Sequence, residues 1–244
     1  MEPKDETIPF EPLFRSVCLK NGLSISDGEL SRLATYAALL IEWNQKVNLI
    51  SRKDETQIWQ NHLLHSISPL FKLKLASRLK ILDLGSGGGL PGIPWGILMP
   101  KSNLLLLDST QKKISADAAI VETLRLQNIQ TVWGRAEDLG RKPELSQKFN
   151  VVVVRAVAPL RDLIAWAKPF LAPGSMQDTL EIYGCGTRSL KYPCLLALKG
   201  GDLQNEIAVV RRKTGGPQIE TINLAFEGSS NFFLSDKKLV IVEF

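Results

Sequence analysis

The sequence predicts an α/β fold: a mostly parallel seven-stranded sheet with an antiparallel last strand, preceded by an N-terminal helical cap. Three observations carry that prediction. From Leu79 onward, short apolar runs alternate with helical stretches, the pattern of parallel strands covered on both faces. A glycine-rich loop, Asp83-Leu84-Gly85-Ser86-Gly87-Gly88-Gly89-Leu90-Pro91-Gly92, follows the first of these runs and precedes a helical stretch. An acidic residue, Asp108, ends the second run about 20 residues further on, where such a sheet meets a ligand.

The elements follow in order. Ser26 and Glu29 have capping-box spacing, and Leu30, Leu33, Ala37, Leu40 and Ile41 then repeat with a helical period. A second amphipathic stretch runs through Ile58, Leu63, Ile67 and Leu70 toward the basic cluster Lys72, Lys74, Arg78 and Lys80. Residues 1–75 are therefore read as the cap and residues 76–244 as the ligand-binding domain. Strands are expected at Leu79–Leu84, Asn103–Asp108, Thr131–Gly134, Val151–Ala156 and Leu195–Leu198. Helical or turn signals fall at Pro91–Leu98, Ser109–Leu126, Glu137–Gly140 and Leu160–Leu171. Ile207–Val210 and Leu239–Val242 read as a closing antiparallel pair, and residues 175–193 as a loop without clear period.

Composition narrows the class. A chain of 244 residues is one large domain or one domain plus a small accessory, and its 44% apolar and 23% charged content excludes global disorder. No apolar run approaches the roughly 18–20 residues of a membrane-spanning helix, and no secretory signal is visible at the N-terminus. Cys18, Cys185 and Cys194 form an odd set without Cys-x-x-Cys spacing, which argues against a disulfide framework or a thiolate metal site. A reducing cytoplasm is the expected home. The net charge of +5 suits a polyanionic partner without establishing one.

Glycines such as Gly85 and Gly87 let the backbone pass through positive φ and approach a ligand without a Cβ clash. The ligand's class follows from what the loop lacks. A dinucleotide fingerprint needs Gly or Ala where Leu90 stands, and no Gly-Lys-Ser/Thr follows to make a phosphate loop. Asp108 is placed to accept hydrogen bonds from a ribose diol, although an Asp that caps the next helix would look similar. Ala136-Glu137-Asp138, after the third strand, can offer a backbone N–H and a carboxylate to an adenine edge. The layout suits S-adenosylmethionine better than NAD.

These residues, taken with several others, closely resemble the GidB/RsmG family of bacterial small-subunit (16S) rRNA guanine-N7 methyltransferases. The resemblance rests on Trp43-Asn44-Gln45-Lys46-Val47-Asn48-Leu49, the glycine loop through Ile93-Pro94, and Leu107-Asp108-Ser109. Further along it rests on Gly134-Arg135-Ala136-Glu137, Arg155-Ala156-Val157-Ala158 and Ala197-Leu198-Lys199-Gly200. The resemblance implies a Rossmann-like class I methyltransferase domain behind a helical cap. It also implies methyl transfer from S-adenosylmethionine to N7 of a guanine in small-subunit rRNA. By that analogy Gly85, Leu90, Ala136, Glu137 and Arg155 are cofactor contacts. Two departures stand out: the family's acid three residues after the cap histidine is replaced, since His62 is followed by His65, and the 175–193 stretch is long.

Guanine N7 is already a lone-pair acceptor, so its methylation needs alignment and exclusion of water more than a general base. The absence of a Ser/His/Asp or paired-carboxylate constellation fits that chemistry. Arg155, at the end of the fourth strand, is the expected catalytic residue, orienting cofactor or guanine; the alternative is an arginine that only ties loops together. Lys112, Lys113, Arg135, Arg211 and Arg212 are expected phosphate contacts, in competition with the plainer reading of a solvated basic surface. His62 and His65 lack a third ligand in metal spacing, so no metal is expected and His62 is read as packed or hydrogen-bonded. Trp43 reads as core rather than as a stacking platform. The expected partner is small-subunit rRNA or the subunit itself, with no membrane partner and a monomeric enzyme. Competing readings are a methyltransferase on another substrate, a non-catalytic RNA-binding assembly factor and, least favoured because of Leu90, a dinucleotide oxidoreductase.

Overall fold

A computed structural model describes residues 10–155, 158–173, 179–182, 188–211, 217–228 and 236–244. The chain opens with α1 (Phe10–Lys20) and α2 (Asp27–Asn44). Ser26 caps α2 as its spacing with Glu29 predicts: the Glu29 N–H donates to Ser26 Oγ (3.3 Å), and the Ser26 N–H donates to Glu29 Oε2 (2.8 Å). At the other end, Asn44 organises the segment that follows. Its Oδ1 accepts from the Leu49 and Ile50 N–H groups (2.8 and 2.9 Å), and its Nδ2 donates to Glu55 (2.6 Å). A 3₁₀ turn (Arg52–Gln57) and a π turn (Trp59–Leu64) then lead into α3 (His65–Lys72) and the two-residue strand β1 (Leu73–Lys74).

The remaining elements alternate. They are β2 (Lys80–Leu84), α4 (Gly92–Leu98), β3 (Asn103–Asp108), α5 (Gln111–Thr123), β4 (Ile129–Trp133), α6 (Ala136–Leu139), β5 (Val151–Arg155) and α7 (Leu160–Ala167). After them come β6 (Thr179–Ile182), β7 (Arg188–Lys191), β8 (Cys194–Gly200), α8 (Gln204–Arg211), β9 (Gln218–Asn223) and β10 (Lys237–Glu243). The main sheet has the order β4-β3-β2-β5-β8-β10-β9. β10 slots antiparallel between β8 and β9, while the pairs β2–β3, β2–β5, β3–β4 and β5–β8 are parallel. The order reverses at β2, whose neighbours are β3 and β5, and the crevice outside that point is where such sheets bind ligands.

Successive residues of a strand face opposite sides, and both faces here are apolar. Ile81, Leu104, Leu106, Val151, Val153 and Leu196 join Phe14, Leu33, Leu40, Leu63 and Trp95 in one buried cluster. The N-terminal helices thus pack directly onto one face of the sheet. On the other face Leu82, Leu105, Val152, Val154 and Leu195 pack with Leu139, Leu160, Leu163 and Val210 from α6, α7 and α8. Trp43 is half-buried against the first cluster, with Lys46 Nζ 5.0 Å over its ring.

Two expectations are corrected. Ile207–Val210 is not a strand but part of α8, and the closing partner of the last strand is β9. The physical signals were local: Asp202 Oδ1 accepts the Gln204 N–H (2.9 Å) at the helix start, and Ile207 and Val210 are spaced to share a helical face. The 175–193 stretch is not simply a loop: β6 and β7 pair antiparallel, and β6 pairs with β1 in a second, three-stranded sheet. Leu180 and Ile182 alternate into the core with Glu181 between them, the period that betrays a half-buried strand.

The turn into α4 constrains the fold closely. A Cβ at Gly92 would lie 2.3 Å from Leu106 Cδ2 and 2.7 Å from Asp83 Oδ2, whereas a Cβ at Gly28 in α2 would meet nothing within 4 Å. Gly92→Ala is expected to lower stability by about 1–3 kcal/mol through overpacking. Gly28→Ala is expected to leave stability unchanged or raise it by up to about 1 kcal/mol through helix propensity. Urea denaturation of both variants checks this, and equal effects at the two positions would contradict the packing described.

Candidate active site

The glycine loop begins where β2 ends and is tied down at each step. The Gly85 and Ser86 N–H groups both donate to Leu107 O (2.7 and 3.0 Å), and Gly89 and Leu90 donate to Ser86 O (2.9 and 3.0 Å). Gly85, Gly87 and Gly89 have φ of +77°, +63° and +80°, the left-handed region that glycine enters without strain. Pro91 stands just outside α4, at its N-cap, one position before the first turn in which proline is most at home.

Three buried carboxylates receive the loop. Asp83 Oδ2 accepts the Gly92 N–H (2.7 Å), Asp108 Oδ2 accepts the Gly87 N–H (3.1 Å), and Asp117 Oδ2 accepts the Ser86 hydroxyl (2.7 Å). Burial pushes the Asp83 carboxyl up to about 7, against the Gly92 hydrogen bond and Arg155, which lower it. Burial likewise raises Asp117 well above the usual carboxylate range. From the helical side, the buried Tyr36 hydroxyl donates to Gly88 O (2.7 Å). A Cβ at Gly88 would sit 2.7 Å from Leu40 Cδ1 and 3.2 Å from Leu49 Cβ, so α2 and the segment behind Asn44 rest against the loop.

The loop edges two adjoining cavities at the C-terminal end of the strands, and Gly85 and Ser109 line both. The larger, about 420 Å³, is walled by Leu49, Gly87, Leu90, Asp108, Lys113 and Arg155. The smaller, about 170 Å³, is walled by Gly134, Arg135, Ala136, Glu137 and Trp166. Gly85, Gly87, Leu90, Asp108, Ala136, Glu137 and Arg155 are therefore brought to one groove. Lys113 and Arg135 line it as well, and Lys112 stands exposed beside Lys113 in the first turn of α5. Arg211 lies elsewhere. It is on α8, donates to Ile219 O (3.1 Å), and borders a separate cavity of about 680 Å³ between α8 and β9. Arg212 falls outside the described residues.

Arg155 is held by a residue far away in sequence. One guanidinium nitrogen lies 2.9 Å from His62 Nδ1. Arginine can only donate, so Nδ1 accepts and the ring proton sits on Nε2, 3.5 Å from Asp54 Oδ2. The reading of His62 as packed or hydrogen-bonded thus holds, and the structure shows both. Burial lowers His62 to about 4; Arg155 adds to the shift and Asp54 opposes it. His65 is buried beside it and lowered well below the ordinary value, by burial first and Arg155 next. Sequence reasoning does not find Tyr36, Asp54 or Asp117, nor the His62–Arg155 contact, and it takes Ser86 only as a member of the glycine loop. Asp117 leaves a signal: a carboxylate between Ile114 and Ile120 on the buried face of α5.

The chain contains two histidines, which makes their state directly measurable. A pKa lowered from 6.5 to about 4 means that the fold favours neutral His62. That stabilisation is present above pH 6.5 and is lost as the pH falls toward 4. In an NMR titration of the native protein, both histidines are expected to stay neutral from pH 8 down to pH 5. A His62 midpoint near 6.5 would contradict the Arg155 contact.

Comparison with known proteins places this architecture. The sequence model for rRNA small subunit methyltransferase G matches residues 29–178. The ribosomal RNA small subunit methyltransferase G of Chlorobium luteolum is 36% identical over 233 residues, covering 94% of this chain and 87% of that protein. That of Chlorobaculum tepidum is 38% identical over 199 residues, 80% of each chain. Among solved structures, the fibrillarin pre-rRNA processing protein of Methanococcus jannaschii superposes with a TM-score of 0.51 at 16% identity, covering 72% of this chain and 73% of that one. A SAM-dependent methyltransferase from Aquifex aeolicus superposes with a TM-score of 0.50 at 13% identity, covering 78% of this chain and 94% of that one. The structural likenesses show a Rossmann-like methyltransferase fold. With the family model spanning the glycine loop and the groove, and relatives aligning over most of its length, the chain belongs to the GidB family of rRNA small subunit methyltransferase G proteins.

Proposed function

We propose that this protein transfers the methyl group of S-adenosylmethionine to N7 of a guanine in small-subunit rRNA. The observation that carries the reading is the groove in which the tethered glycine loop, Asp108 and Ala136-Glu137 converge at the reversal of strand order. The residues present fit the cofactor. A Cβ at Gly87 would meet nothing within 4 Å, so that side of the loop is open. Each oxygen of Asp108 accepts one backbone N–H, from Thr110 (2.8 Å) and Gly87 (3.1 Å). An ionised carboxylate has further lone pairs, which suit a ribose diol. Ala136 and Glu137 are the residues for the adenine, and Gly85, Leu90 and Arg155 complete the set that would hold the cofactor.

When bound, S-adenosylmethionine supplies an electrophilic methyl group on a sulfonium. The chain's own work is then orientation. N7 carries no proton to remove, so no side chain has to act as a base at that atom. Arg155, held by His62, lines the larger cavity, and its remaining guanidinium N–H groups are the donors this reading assigns to guanine O6 or to the cofactor. Leu49 and Leu90 wall the same cavity and help to exclude water. Lys112, Lys113 and Arg135 at the rim are the phosphate contacts this reading favours; Arg211 stands on a different part of the surface. We read residues 1–75 as the cap; from it, Tyr36 meets the loop at Gly88 O and His62 holds Arg155. No helix among the described residues is long and apolar enough to cross a membrane. The reading is of a monomer acting in the cytoplasm.

The test is transfer of labelled methyl groups to small subunits purified from a strain lacking the gene, with the RNA then digested to nucleosides. Label is expected in 7-methylguanosine, and Arg155→Ala and Asp108→Ala are each expected to lower the rate by about 100-fold through lost alignment. Cofactor binding with unlabelled rRNA would overturn the substrate while leaving the cofactor site standing.

A further inference from the structure

Among the described residues, the large apolar side chains that stand in solvent are few. Leu13 and Leu19 lie on α1, Val209 on α8 and Phe244 at the C-terminus, whereas Trp133, 56% exposed, ends β4 at the groove side of the sheet. It pairs in register with Asp108, and its indole N–H donates to Ser109 O (3.0 Å). Ser109 lines both cavities of the groove, so this bond fixes the indole to the rim of the site. The ring is thus held in one orientation while more than half of it faces water. A tryptophan ordered this way gains little from burial, and its free surface is suited to another flat group.

The surrounding charge says what kind of group. Arg135 lies two residues beyond Trp133, and Lys112 and Lys113 follow Ser109 in the first turn of α5. None of the three makes a salt bridge among the described residues, although Lys113 is close enough to the buried Asp117 to favour its ionised form. Glu137 and Asp138 follow in the first turn of α6, so Arg135 stands between the ring and two acids while Lys112 and Lys113 approach from the α5 side. A fixed aromatic surface flanked by cations is the combination that binds single-stranded nucleic acid: bases stack while phosphates meet the charges.

We infer that Trp133 is a stacking platform for an unpaired RNA base next to the one presented to the groove, with Lys112, Lys113 and Arg135 holding the adjoining phosphates. The inference rests on the proposed RNA substrate but is tested separately from methyl transfer. Indole emission is followed at low salt as the native protein is titrated with a short single-stranded oligoadenylate, and with an abasic oligoribose phosphate of equal length. Oligoadenylate is expected to quench the emission in a salt-sensitive way, and the abasic chain to bind more weakly without quenching. Trp133→Leu should weaken oligoadenylate binding about tenfold. Trp133→Phe should keep most of the affinity but lose most of the quench. In Trp133→Leu the affinity for S-adenosylmethionine should fall much less than that for oligoadenylate, since Ser109 keeps its backbone place just after β3. Wild-type binding by Trp133→Leu, equal quenching by the abasic chain, or an equal loss of cofactor affinity would each overturn the inference. If oligoadenylate quenches as expected while small subunits remain unmethylated, the substrate reading falls and the stacking surface stands.

Discussion

The site depends on three carboxylates buried beneath one glycine loop. Asp83 from β2, Asp108 from β3 and Asp117 from α5 each accept a hydrogen bond from a different part of the loop, at Gly92, Gly87 and Ser86. Burial of a carboxylate is unfavourable unless donors meet it or it takes up a proton. Asp83 and Asp117 follow the second route as well as the first, since burial raises both. The outcome is a loop whose amide directions are set before any ligand arrives. Preorganisation of that kind lets binding proceed without the cost of ordering a flexible segment.

The same constraint explains why the N-terminal helices matter to the chemistry. They share a core with one face of the sheet, and three of their contacts reach the site itself. Tyr36 holds Gly88 O, Leu40 and Leu49 close the space that any side chain at Gly88 would need, and His62 accepts from Arg155. Arg155 is thereby placed from two directions: its backbone belongs to β5, and its guanidinium is held from the segment leading into α3. A displacement of the cap would move the arginine relative to the loop. On the proposed mechanism, methyl transfer to an unprotonated nitrogen requires alignment, and the cap would act on it through geometry.

Much of this was legible in the sequence, for physical reasons that differ by element. β2, β3, β5, β8 and β10 are dense apolar runs because both of their faces are covered, and the glycine loop and Asp108 take their places from strand ends. Ser26 and Glu29 announced α2 through a purely local hydrogen-bond pair. What failed was short or long-range. α8 is hard to tell from a strand because four residues, Ile207–Val210, fit both periods alike, and the Asp202 hydrogen bond that starts the helix is a short local signal. The β6–β7 pair escaped because its partner β1 is two residues long and lies far away in the chain. The pairing of His62 with Arg155 spans 93 positions and has no local signature. Both partners were singled out from the sequence, but nothing in it joined them.

Direct titration calorimetry with S-adenosylmethionine, and with NAD as the comparator, tests the central claim that the tethered loop and Asp108 form a site for this cofactor. The native protein is expected to bind S-adenosylmethionine and not NAD. Asp108→Asn should weaken that binding about tenfold, the loss of hydrogen bonds to a charged acceptor. Affinity for NAD comparable to that for S-adenosylmethionine, or an Asp108→Asn variant that binds as tightly as the native protein, would contradict the account.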